Sequence, residues 1–137
     1  MTIDLTPLER AISQLERSLG YIDSDLARRD LGLQEQFRMA AIQAFEFTYE
    51  LSWRALKRYL DISAASPTEL DALTFKNWFR MGAEKGLISN PEAGFGYREK
   101  RNLTAHAYDE AKAQAVLSAL PAFARDARDL LRRLEER

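Results

Sequence analysis

The chain contains no cysteine, which removes disulfides and thiolate zinc sites together and fits a reducing cytosol. Histidine occurs once, as His106. A metal site would therefore have to be built from carboxylates, and no clustered carboxylate motif stands out. Charge of one sign is also lacking: 20 basic residues stand against 21 acidic ones, for a net charge of −1. Domains that wrap duplex nucleic acid by bulk electrostatics are strongly basic, so any nucleic-acid contact is expected to be small and site-like. No apolar run approaches the roughly 18 residues that a membrane span needs. Met1-Thr2-Ile3-Asp4-Leu5 lacks a basic stretch followed by an apolar one, so no secretory signal and no membrane partner are expected. The expected location is cytoplasmic. No segment alternates with a period of two over strand length, and no internal repeat is present.

What remains is a chain of 137 residues, 46% hydrophobic and 30% charged, long enough to bury a core as one domain spanning 1–137. Its apolar residues recur at helical spacing. Thr6-Pro7 reads as a helix start, with the hydroxyl as N-cap, followed by the stripe Leu8, Ile12, Leu15, Leu19, Ile22 and Leu26. Arg28 to Gly32 reads as a turn. A second helix is expected over about 33–60, its stripe widened by Phe45, Tyr49, Leu56 and Leu60, with Ala40, Ala41 and Ala44 allowing close approach. Ser66-Pro67-Thr68-Glu69 is a capping box opening a third helix that ends near Gly82 or Gly86. Trp78 and Phe79 on it read as core. Ser89 to Tyr97 reads as the longest loop, and the segment after it as the first two turns of a fourth helix. A further periodic run begins at Asp109-Glu110, with Pro121 expected to interrupt or kink it. The fold class is all-α: an antiparallel bundle of four main helices plus a short one.

Chemistry concentrates in Arg101-Asn102-Leu103-Thr104-Ala105-His106-Ala107-Tyr108. Arg98 and Lys100 add two cations just upstream. Histidine is the side chain that ordinarily changes charge between about pH 5 and 8, so His106 is the candidate acid or base. Arg101 can grip a phosphate in a fork and stabilise charge growing on phosphorus. RNA can be cut without metal when a base takes the ribose 2′-hydroxyl proton and that oxygen attacks the adjacent phosphate. On a regular helix at roughly 100° per residue, Arg101 and His106 would point about 140° apart. A two-fold dimer would resolve this by forming a composite cleft. Structural roles stay open on these residues alone: a lone helical histidine is more often a satisfied structural group, and a basic run more often a solvated helix end.

The arginine, four residues, histidine, one residue, tyrosine pattern resembles the hallmark of the HEPN family of small helical proteins. Every fixed position is met, including the frequent asparagine after the arginine. The closer resemblance is to the HepT-like toxin subunits of HEPN/MNT toxin–antitoxin pairs, also described as nucleotidyltransferase substrate-binding proteins. The aromatic helix from Phe45 to Lys57 and the stretch Ala83 to Ile88 support it, in the right order along most of the chain. The resemblance implies a homodimeric helical bundle acting as a metal-independent endoribonuclease. Arg101 and His106 would be catalytic at the dimer-interface cleft, with Asn102 an active-site polar residue. It implies Tyr108 as the acceptor of AMP, transferred from ATP by a cognate minimal nucleotidyltransferase that acts as antitoxin. ATP is then the partner's substrate, and no cofactor is expected of this chain. The alternative is a non-catalytic subunit that presents substrate to the nucleotidyltransferase. Thr74 to Met81 is unusually aromatic for this family.

Overall fold

The computed structural model describes residues 3–63 and 75–137. They form the expected all-α bundle: α1 (Thr6–Ile22), α2 (Asp25–Arg29), α3 (Leu31–Ser63), α4 (Phe75–Glu84), α5 (Pro91–Leu103), a single 3₁₀ turn (Thr104–His106) and α6 (Glu110–Glu135). No strand occurs among the described residues. The capping box at 66–69, with Leu70 and Leu73, lies outside them.

Helix α1 starts one position earlier than its hydroxyl suggested. Leu5 occupies the cap position without a side-chain bond, and the Asp4 carboxylate accepts from the Thr6 amide at 3.0 Å. Leu8, Ile12 and Leu15 are buried as the stripe requires, but Leu26 is exposed. The reason is local. Ser24 caps a new short helix by accepting from the Ala27 amide, which rotates the register so that Ala27 is the buried residue. The expected turn is therefore mostly helix, and Asp30 alone makes the corner, its carboxylate accepting from the amides of Gly32 and Leu33.

Helix α3 is the long central element. Ala41 and Ala44 are buried against α1, and Thr48 closes the contact by donating to Ala44 O within its helix and to Ala11 O across the gap. Ala40, expected beside them, faces outward. Phe45, fully buried, meets Phe123 of α6 edge-on with ring centroids 4.8 Å apart. Tyr97 of α5 meets the same Phe123 ring edge-on at 5.0 Å. One phenylalanine thus ties together three helices, and such pairs add about 0.5–1.5 kcal/mol beyond their burial. Trp78 and Phe79 of α4 join this core.

Just past the end of α4, Gly86 takes a φ of +77°, the left-handed conformation that lets the Leu87 amide reach back to Gly82 O. Leu87 is then fully buried. The stretch expected as a loop is helix instead. Asn90 accepts from the amides of Glu92 and Ala93, and Pro91 fills the first helical turn, so the Asn-Pro pair starts α5 rather than breaking the chain. Pro121 lies within one continuous α6 on an exposed position, where its missing amide costs a single intrahelical bond.

Two large apolar residues on α3 give a sharp check of this packing. Phe45→Ala should cost about 3–5 kcal/mol, whereas Leu31→Ala, at a position 73% exposed, should stay within about 0.5 kcal/mol. Urea denaturation of the two variants decides it, and equal losses would refute the assigned faces.

Candidate functional site

The segment 101–108 spans a helix end, not the start of one. Arg101, Asn102 and Leu103 form the last turn of α5. The backbone then tightens into the 3₁₀ turn and leaves it through Ala107 N to Thr104 O and Asp109 N to His106 O. Asp109 opens α6, its carboxylate accepting from the amides of Ala111 and Lys112 at 2.9 and 3.2 Å. The regular-helix angle between Arg101 and His106 therefore does not apply, because the helix changes type between them.

Thr104 is the pivot. It is buried, and its hydroxyl donates to Arg101 O at 2.7 Å while accepting from Arg101 Nη1 at 3.0 Å. The same Nη1 lies 3.6 Å from Glu46 Oε2 on α3. Arg101 is thus half-buried and held from two sides. Arg38 of α3 fixes the far side of the junction, bonding Glu110 and Gln114 in the first turns of α6.

The remaining groups of the motif face solvent. Asn102 and His106 are exposed, and Tyr108 is 86% exposed, the most exposed large hydrophobic side chain described. His106 Nδ1 stands 3.5 Å from the Tyr108 hydroxyl, with the rings tilted at 65°. No hydrogen bond or ion pair joins Arg101 to His106. What the fold brings together is His106 with Tyr108, and Arg101 with Thr104 and Glu46. Beside this junction runs a surface groove on α3, lined by Met39, Gln43, Glu46, Phe47, Thr104 and Ala107. Met39 and Phe47 are large apolar groups left exposed there.

Two participants, Thr104 and Glu46, were not singled out from the sequence. Thr104 lies inside the motif and its position was readable. Glu46 lies 55 positions from Arg101 and nothing local signals the pairing. Among the described residues, no group of three His, Cys, Asp or Glu is placed to hold a metal ion, and no helix is long and apolar enough to cross a membrane.

The all-α bundle agrees with what the chain matches. Residues 3–136 match the family described as nucleotidyltransferase substrate binding protein like, and the chain belongs to that HepT-like family. It is 35% identical to a Haemophilus influenzae protein named probable ribonuclease HepT, over 98% of this chain and 94% of that protein. Among solved structures, it resembles Haemophilus influenzae HI0074, described as having the fold of a substrate binding domain of a nucleotidyltransferase. The TM-score is 0.92 at 34% identity, covering 96% of this chain and 99% of that one. A Thermus thermophilus protein follows with TM-score 0.73 and 31% identity, over 93% and 98% of the two chains.

The two holds on Arg101 differ in strength. Thr104→Val removes a buried hydroxyl bonded to a charged group and should cost about 1–3 kcal/mol. Glu46→Gln weakens a long, partly exposed ion pair and should cost less than about 1 kcal/mol. Chemical denaturation of both variants tests the ranking, and the reverse order would mean that Glu46 anchors the junction.

Proposed function

We propose that this chain is the toxin subunit of a HEPN/MNT toxin–antitoxin pair, a metal-independent endoribonuclease that works as a homodimer. The observation that carries the proposal is the collection of Arg101, Asn102, His106 and Tyr108 at one helix junction, three of them exposed. The likeness to a protein named probable ribonuclease HepT supports the same reading. The exposed Met39 and Phe47 in the groove beside the junction support pairing of two copies across it.

In a two-fold pair the cleft holds two copies of each group. One His106 takes the proton of the ribose 2′-hydroxyl, and that oxygen attacks the phosphorus. Arg101 binds the non-bridging oxygens as their charge grows. The bond from phosphorus to the 5′-oxygen breaks, and the second His106 returns a proton to that leaving oxygen. The products are a 2′,3′-cyclic phosphate and a free 5′-hydroxyl. Asn102 faces the same solvent and can hold substrate.

Silencing follows at Tyr108. The phenol oxygen attacks the α-phosphorus of ATP held by a cognate minimal nucleotidyltransferase, pyrophosphate leaves, and AMP stays on the ring. With the tyrosine hydroxyl 3.5 Å from His106 Nδ1, the added bulk and negative charge fall where the RNA phosphate must sit. The second reading, a non-catalytic subunit that presents substrate to the nucleotidyltransferase, is supported by the family's description and by that of HI0074.

His106→Ala should lower RNA cleavage by about 10²–10⁴-fold with its thermal melt unchanged, since the side chain is exposed. Cleavage retained by that folded variant would refute His106 as the acid or base of the reaction. A wild-type chain that binds the nucleotidyltransferase yet cuts no RNA would establish the second reading.

A further inference from the structure

A second cavity lies away from the Arg101–Tyr108 junction and shares no lining residue with the groove beside it. It opens between α3, α4, α5 with the turn before it, and α6, and has a volume of about 80 Å³. Five aromatic side chains wall it: Tyr49, Trp53, Phe79, Tyr97 and Phe123. Its shape depends on Gly94, because a Cβ there would stand 2.9 Å from Phe79 Cδ1 and force that ring to shift.

The polar atoms of the cavity are unusual for a core. Tyr49 and Ser52 are each more than nine-tenths buried, line the cavity, and have hydroxyls with no hydrogen-bond partner. A helical serine ordinarily bonds the carbonyl four residues back, as Thr48 does one turn earlier on the helix. Leaving such groups unpaired opposes folding. Burial pushes the Tyr49 phenol well above the usual tyrosine range, so it is a neutral donor. The charged lining residues are Asp126 and Asp129. Asp129 is paired with Arg132 and Arg133, while Asp126 accepts from the Tyr97 hydroxyl. No arginine or lysine lines the space among the described residues.

We infer that this cavity is a binding site for a small, flat aromatic molecule, neutral or positively charged, with an acceptor for Tyr49 and Ser52 and an N–H for Asp126. Stacking surfaces select a ring, the two orphan hydroxyls select a polar edge, and the carboxylate excludes an anion. The inference stands independently of the nuclease reading.

The test is an amide chemical-shift titration of the full chain with nicotinamide, benzamidine and benzoate. Nicotinamide and benzamidine should move the Ser52, Trp53 and Gly94 amides with Kd on the order of 1 mM or tighter, and benzoate should bind at least about tenfold more weakly. Ser52→Leu, which fills the space, should abolish these shifts, and the conservative Ser52→Ala should weaken them several-fold with the spectrum otherwise native. The inference fails if neither ring moves these amides, leaving water as the sole occupant. It fails equally if benzoate binds as well as benzamidine, or if the shifts persist in folded Ser52→Ala at full affinity.

Discussion

A helix that ends must satisfy the carbonyls of its last turn and one that begins must satisfy the amides of its first, and the short run of chain between Leu103 and Glu110 has to do both. The Thr104 hydroxyl takes up Arg101 O, the 3₁₀ turn absorbs Ala107 N, and Asp109 caps the next helix. With the backbone satisfied internally, the Asn102, His106 and Tyr108 side chains are left free of structural duty and point to solvent. The site is a by-product of a well-made corner. Its one restrained member is Arg101, and the group restraining it most closely, Thr104, is the same group that makes the corner.

That arrangement explains the division of labour around the junction. Arg38 to Glu110 and Gln114, and Arg101 to Glu46, both run from α3, so the longest helix acts as the reference against which the corner is set. The core that holds α3 lies behind it, centred on Phe45, Tyr97 and Phe123. In front lies the groove with Met39 and Phe47 uncovered. Rigid support on one face and apolar exposure on the other is the arrangement expected of a surface that meets a second macromolecule.

Periodicity made the helices legible, and the three-and-four spacing of Leu8, Ile12 and Leu15 leaves no other reading. Local chemistry was harder. Asn90-Pro91 can break a chain or begin a helix, and only the two amides that Asn90 accepts decide for the latter. Likewise Asp30, inside a run read as turn, caps the longest helix. The motif itself was fully readable, because its residues are close in sequence and of reactive types. Its geometry was not, since a tight turn in place of a regular helix depends on Thr104 finding Arg101 O. Glu46 and the cavity around Tyr49 and Ser52 are products of packing between distant segments, and no spacing rule announces them.

The central claim is that the exposed junction is where this chain is both active and controlled. Its most direct test is the intact mass of the chain after incubation with its cognate nucleotidyltransferase and ATP. A mass increase of one or more AMP groups, lost in Tyr108→Phe, is the expected result. An unmodified mass under conditions where that partner is active, or a modification that persists in Tyr108→Phe, would contradict it.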